Sequence, residues 1–331
     1  MPISLYPYLT ELAICIVKFY VNKDVILIRP VISKALRFNQ IIVELARLRS
    51  QLMTFSIRPV TTIEECRAME QLNIEIWGTV DRDVNPSHIL LIIAKEGGLV
   101  LLALDDEQPI GFSLGLLGLT EQNRLKIVSH MTGVLPKYQS SGVGYQLKLA
   151  QRQAALARGF DLITWTFDPL QGRNAYLNLN KLGAVCNTYL RHLYGDMPDA
   201  LNRGMPSDRF RVDWWIASPH VEARLARQTS APDAAIRAYP LINPTTRSEQ
   251  GFLAPPPTFD PPSSPFCLAQ IPPDFPSLRA AAPDLAVRWR LHTREIFEVY
   301  FAAGYTIVDL RRGEDRNFYV LQKDWQPGKD K

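Results

Sequence analysis

A chain of 331 residues, 47% of them hydrophobic and 21% charged, is long enough for two domains or for one domain with large appendages. A net charge of +4 admits an anionic ligand, but no dense Lys/Arg patch points to nucleic acid. No apolar run reaches the ~18 residues of a membrane span, so no membrane partner is expected. The four cysteines (Cys15, Cys66, Cys186, Cys267) and five histidines lack metal-site spacing; the expectation is no metal and reduced thiols in a cytoplasmic protein.

Residues 1–52 stand apart. The apolar run 12–21 is short and interrupted by Lys18, and 41–52 has helical apolar spacing with Arg47 and Arg49 facing away. Two readings stay open: a poorly packed extension ahead of a functional start at Met53, or a helical hairpin covering the domain that begins there. Residues 55–59 alternate as a short strand stopped by Pro59. Thr62 and Glu65 then form a capping box, and Ile63, Cys66, Met69, Leu72 and Ile76 repeat at helical spacing up to Gly78. A second helix runs from about Pro86 to Lys95 and closes at Gly97 and Gly98.

Residues 99–104, 109–119 and 125–135 read as three strands whose short separations favour an antiparallel meander. After Pro136 a loop with Gln139, Gly142 and Gly144 enters a helix with Val143, Leu147, Ala150, Ala154 and Leu156 as its buried side. Glycines between strand and helix let backbone N–H groups approach a ligand, and the helix start adds partial positive charge, so a diphosphate is the natural guest. Neither the G-x-G-x-x-G of dinucleotide folds nor the G-K-[ST] of nucleotide folds is present. Residues 162–167 form the next strand, parallel to 125–135 through a right-handed crossover. A helix from the 168–174 segment to Gly183 and a strand pair, 184–189 and 209–216, come next. The loop between those strands, with Arg191, His192, Tyr194, Asp196, Ser207 and Asp208, reads as either a selectivity element or a solvated hairpin loop.

From Pro219 the composition shifts. A short helix leads into the Pro/Ser-rich stretch 240–265, a linker or a surface strap. A brief strand (268–271), a helix (284–303) and a hairpin (305–310 with 317–322) complete the chain. The helix–glycine–strand order around Gly304 echoes that around Gly183, so the tail either pairs with an edge of the main sheet or forms a partial second lobe. The expected division is 1–52, 53–218, 219–265 and 266–331.

The run Gln139-x-x-Gly142-x-Gly144, preceded by Val134 and Pro136, resembles the acetyl-CoA signature of the GNAT superfamily of acyltransferases, and the element order between Met53 and Ser218 is similar to that family. The resemblance implies an α+β fold: a mixed, mostly antiparallel twisted sheet with helices on both faces, here carrying a C-terminal helix-hairpin extension. It implies an acetyl-CoA-dependent N-acetyltransferase attacking directly in a ternary complex. It assigns cofactor contacts to Gln139, Ser141, Gly142, Val143 and Gly144 in the loop, to the amides near Thr132 and Val134 in a gap between splayed strands, and to Asn174 with Arg173 as a neighbour. The acceptor is a small-molecule or peptide amine whose cleft would include Trp77, Asp81, Asp83 and His88; a homodimer is compatible with it. For Trp77 and the two aspartates the alternative is a core indole and solvated turn residues.

The base that accepts the amine proton would be His130, which titrates near neutrality, or Asp168. Each has a bland alternative: a hydrogen-bonded strand histidine, and a cap on the adjoining helix. The family's tyrosine acid four residues before Gly183 is absent, since Leu179 stands there and Tyr176 lies nearly a turn earlier. Cys186 reads as a buried thiol rather than an acyl-enzyme nucleophile. That departure, with the lack of a carboxylate beside His130, keeps a second reading alive, a non-catalytic acyl-CoA-binding module.

Overall fold

Alternation of apolar side chains builds the sheet, and helices pack on both of its faces. The computed structural model describes residues 17–21, 24–28, 55–78, 84–196, 204–227, 236, 238–313 and 315–328. The chain divides into two compact units, Met1–Met53 and Thr54–Lys331. In the first, β1 (Val17–Val21) and β2 (Asp24–Ile28) pair antiparallel, Val17 opposite Ile28. Their β-branched and aromatic content suits strands, so the described part of this segment is a β-hairpin and not a helical one. The helical spacing in 41–52 lies outside the described residues.

The second unit begins with β3 (Ser56–Pro59), α1 (Ile63–Trp77) and α2 (Ser87–Lys95). The capping box of α1 forms as expected, and Gly78 ends the helix in a left-handed conformation at φ 63°. The meander comes next as β4 (Leu99–Asp105), β5 (Gln108–Leu119) and β6 (Leu125–Val134), then α3 (Val143–Ala157) and β7 (Leu162–Phe167). One short turn of helix, α4 (Gly172–Ala175), widens into a π-type turn at Tyr176–Lys181 before β8 (Val185–Leu190) and β9 (Arg209–Trp215). The remainder is α5 (Pro219–Leu225), β10 (Thr246–Arg247), β11 (Leu253–Ala254), β12 (Phe266–Ile271), α6 (Phe275–Ala281), α7 (Pro283–Ala302), β13 (Tyr305–Arg312) and β14 (Asn317–Lys323). Helix α6, capped by the Asp274 side chain, has no counterpart in the sequence reading.

Ten strands form one sheet in the order β12-β14-β13-β8-β9-β7-β6-β5-β4-β3. Every described pairing in it is antiparallel except β6 with β7. The fold is therefore α+β with a mostly antiparallel sheet. Side chains alternate across it. Val100, Leu102, Leu104, Phe112 and Leu114 pack under α1 and α2, whereas Leu101, Ala103 and Ile110 pack under Val143 and Leu147 of α3.

Of the two arrangements left open for the tail, the structure has the edge pairing: β13 lies antiparallel to β8, Ile307 opposite Cys186. Both echoing glycines turn the chain left-handed, Gly183 at φ 72° and Gly304 at φ 84°. The 240–265 stretch is a strap. Its carbonyls accept from α7, Leu253 from the Trp289 indole at 2.8 Å and Asp260 from the Tyr300 hydroxyl at 2.8 Å. One continuous core runs from Ile127 and Ile163 through Trp165, Phe210 and Trp214 to Trp289, Phe297 and Tyr319. Phe210 is its junction, with ring contacts to Phe167, Tyr189, Phe297, Phe301 and Tyr319 at centroid distances of 4.8–5.8 Å. Phe210→Ala should cost about 3–5 kcal/mol in urea denaturation and leave one cooperative transition; two resolved transitions would mean that the tail folds independently.

Candidate functional site

The site grows from an interruption in sheet pairing. β6 meets β7 at two positions, Ile127 opposite Ile163 and Val128 opposite Thr164, and the register goes no further. Ser129 to Val134 therefore face a rift on the β7 side while β5 holds their other edge. The β5–β6 register also slips here, from Gly115 opposite Ser129 to Leu114 opposite Met131, so His130 is an extra residue in a bulge. The Leu135 amide donates to Ile110 of β5 at 2.9 Å. Backbone groups alternate sides along a strand, so those of Thr132 and Val134 point the other way, into the rift.

At the open end of the rift, the glycine loop lies uncovered. Gln139, Ser140 and Gly142 are exposed, and Ser141 and Gly144 are half-buried. Gly142 is the residue before α3, at φ 94°, and offers no capping side chain. The amides of Val143, Gly144 and Tyr145 lie in the first turn, where no carbonyl a turn earlier can accept them. A Cβ on Gly144 would meet only Val134 Cγ2, at 3.7 Å, so the space before it is open. The Gln139 amide group turns back to donate to the Val134 carbonyl at 3.3 Å. Arg173, which the resemblance ranked as a mere neighbour, crosses from α4 and donates to Ser140 Oγ at 2.7 Å. A guanidinium thus reaches the glycine loop, and Asn174 next to it is exposed.

The closed end of the rift holds a residue that the sequence reading missed. Lys148 of α3 is buried, donates to Ser129 Oγ at 2.7 Å, and sits 3.8 Å from the centre of the Trp165 ring. Burial lowers its pKa to about 7. One turn on, Gln151 donates to Ser113 Oγ at 3.0 Å, and Ser113 shares a hydrogen bond of 3.2 Å with Thr132.

The opposite face of the sheet carries His130 and Trp77. His130 is exposed to solvent at the bulge, yet desolvation by its surroundings lowers its pKa, so the imidazole is neutral at physiological pH. Trp77 lies over Gly133, where a Cβ would come within 2.6 Å of the indole, and packs edge-on to Phe112. It is a wall of the core whose outer edge is half-exposed. His88 is exposed on α2, and Asp81 and Asp83 lie outside the described residues. After β8, the Tyr194 hydroxyl shares a hydrogen bond of 2.8 Å with Thr166, beyond the last β6–β7 pair. Asp213 of β9 faces the same side as Thr164, its register partner; burial raises its pKa, and Arg211 and Lys126 offset part of that.

Two expected groups are committed elsewhere. Asp168 accepts from Arg290 Nη2 at 2.8 Å with one carboxylate oxygen and from the Leu170 amide at 2.9 Å with the other, a local turn rather than a cap on α4, whose start no side chain caps, and these bonds leave it poorly placed as a base. Asp208 is buried; its hydrogen bonds from Arg294, the His192 amide and Tyr189 overcome burial and hold its carboxyl below the usual range. Leu179 is in the core, and the Tyr176 ring lies 4.4 Å from the Arg312 guanidinium. Cys66, Cys186 and Cys267 are free and buried, and burial pushes the Cys186 thiol far up, so no thiolate is available there. Among the described residues no group of three His, Cys, Asp or Glu could hold a metal ion, and no helix is long and apolar enough to cross a membrane.

No protein-family model and no curated protein sequence matches the chain. Solved structures similar to it include an acetyltransferase of the GNAT family from Streptococcus pneumoniae (14% identity over 48% of this chain and 98% of that one, TM-score 0.41). Others are the ribosomal-protein-S18-alanine N-acetyltransferase from Escherichia coli (15%, 49% and 94%, TM-score 0.40) and Arabidopsis thaliana NAA60 with a bisubstrate analogue (15%, 49% and 98%, TM-score 0.39).

Lys148 links the site to stability. Unfolded, its ammonium keeps its proton to the ordinary lysine range; folded, it releases it above about 7. Between those values the unfolded chain binds more protons, so stability rises with pH. From about pH 7 to 8.5, urea denaturation should show the native chain gaining about 1–2 kcal/mol relative to Lys148→Met. Parallel pH profiles would show that Lys148 is not desolvated in solution.

Proposed function

We propose that this chain is a CoA-dependent acyltransferase, moving an acyl group from a CoA thioester to an amine by direct attack in a ternary complex. The observation that carries the reading is the parting of β6 from β7 after Val128 and Thr164, beside a helix start that no side chain caps. The diphosphate fits the amides of Val143, Gly144 and Tyr145, with Arg173 as the counter-cation. The pantetheine arm fits the rift, where the backbone groups of Thr132 and the amide of Val134 are left to pair with it, the Val134 carbonyl already accepting from Gln139. Freed amides near the bulge are suited to polarise the thioester carbonyl as negative charge develops on it. Acetyl-CoA is the simplest donor of this kind. Free, buried Cys66, Cys186 and Cys267 suit a cytoplasmic protein.

His130 is the base in this scheme. It is neutral, it reaches solvent, and the bulge places it at the bend where the strands part. It takes the proton as the amine nitrogen forms its bond to the carbonyl carbon; the C–S bond breaks, and the thiolate leaves. Tyr194, whose hydroxyl shares a hydrogen bond with Thr166, returns a proton to that thiolate in this reading. The amine acceptor, a small molecule or a peptide N-terminus, enters over Trp77 and His130.

Calorimetric titration with CoA and thiol release across a panel of amines test the reading together. Gly144→Val should weaken CoA binding at least about tenfold with the fold intact, because the added side chain enters ligand space and costs little helix propensity. His130→Ala should lower kcat about 10²–10⁴-fold with a much smaller effect on CoA affinity. Undiminished CoA affinity in the Gly144 variant would remove the site assignment. CoA binding without turnover of any amine would leave the non-catalytic acyl-CoA-binding module.

A further inference from the structure

The buried face of α3 should be apolar where it meets the sheet, and Val143, Leu147 and Ala155 are. Lys148 breaks that pattern. It is 5% exposed, and its ammonium has a serine hydroxyl and an indole face for company. No Asp or Glu among the described residues pairs with it. Taking an ammonium out of water without a counter-ion costs several kcal/mol, and a methionine would fill the same volume at no such cost.

The position of that ammonium is specific. Ser129 and Trp165 are the residues just beyond the last β6–β7 pair, so Lys148 bridges the two strands where the rift closes. The uncapped start of α3 marks the other end. From Val134 to Ser129, with His130 bulged out, β6 lies opposite Gly111 to Gly115 of β5, four positions at about 3.4 Å each or roughly 14 Å, a span that an extended pantetheine arm can cover. A guest whose diphosphate rests on α3 therefore brings its acyl group to Lys148. An acetyl methyl would leave the cation without a counter-ion. A carboxylate at the end of a short acyl chain would supply one, and the Ser129 hydroxyl, which accepts from Lys148, keeps its own proton to donate to the same carboxylate.

We propose that the acyl donor is the CoA thioester of a short dicarboxylic acid, malonyl or succinyl in size, with Lys148 and Ser129 as the receptor for its free carboxylate. The proposal rests on the CoA site at the start of α3 and names its acyl group. In the transfer the amine nitrogen bonds to the thioester carbonyl carbon, the C–S bond breaks, the amine proton passes to His130, and the thiolate is protonated; the distal carboxylate is unchanged. Around Lys148, His130 adjoins Ser129 at the bulge, Arg152 one turn along α3 is paired with Glu222, and Asp213 points to the opposite face of the sheet. Pairing with a carboxylate restores the proton that burial removes from Lys148, so binding takes up a proton at mildly alkaline pH.

Calorimetry of the full chain with CoA, acetyl-CoA and succinyl-CoA, about one unit above the Lys148 pKa and in buffers of differing ionisation enthalpy, tests this. The native chain should bind succinyl-CoA about ten- to a hundredfold more tightly than acetyl-CoA, as a charge-assisted pair implies, with proton uptake for the former alone. In Lys148→Met the ratio should fall to about one or below, and the uptake should vanish. Equal affinities in the native chain, or a preference that survives the substitution, would overturn the dicarboxylic donor and leave the CoA site standing. Failure of all three ligands to bind would remove the CoA site and this proposal with it.

Discussion

Two neighbouring strands that pair for two positions and then part must be held apart by something, because unpaired backbone groups in a sheet interior seek partners. On one side β5 keeps β6 in register, and the bulge at His130 adds twist that carries Ser129 to Val134 away from β7. On the other side β9 pairs with β7 along its whole length, and β9 belongs to the core centred on Phe210. α3 lies across the gap, with Lys148 touching both strands. The rift is thus a boundary between two well-packed halves rather than a loose region, and its exposed amides are available without local unfolding.

The C-terminal hairpin and α7 take part in this arrangement electrostatically as well as by packing. Arg290 and Arg294, one turn apart on α7, neutralise Asp168 and Asp208, which lie at the end of β7 and the entry to β9. Arg224 and Arg311 do the same for Asp309 on β13. Carboxylates close to the end of the rift are paired off by arginines. Arg173, by contrast, spends its charge on a hydroxyl and Lys148 on a hydroxyl and an indole ring, which leaves both suited to an anionic guest. An extension that looks like an appendage in the sequence therefore sets which charges the site presents.

Much of this was legible because it is local. The capping box at Thr62 and Glu65, the meander and the glycine loop each announce themselves within a few residues, and the structure has them nearly where the spacing puts them. The rest depends on distant partners. Asp168 could be a base or a cap until Arg290, 122 positions away, occupies it. The tail could be a lobe or an edge until Ile307 meets Cys186. Lys148 was hidden by the periodicity itself. The helical pattern placed Ala150, Ala154 and Leu156 on the buried side, whereas the helix rotates so that Lys148, Gln151 and Ala155 go in and those three stay half-buried. A polar residue at the edge of an apolar stripe reads as solvated, and only the sheet beneath shows that it is not.

His130 and Lys148 lie on opposite faces of the same stretch of β6, and burial lowers the pKa of both. The shared cause has different consequences. For an imidazole it means a lone pair ready at neutral pH on the side open to solvent. For an ammonium it means a proton held weakly enough that the charge depends on what lies beside it. A carboxylate there would fix the proton; an apolar group would release it. Desolvation around one bend in one strand thus leaves a neutral imidazole on one face and an anion-sensitive cation on the other. The lysine is the part of this arrangement that structural economy alone does not explain, because one hydrogen bond to Ser129 and one ring contact are a small return for burying an ammonium without a counter-ion.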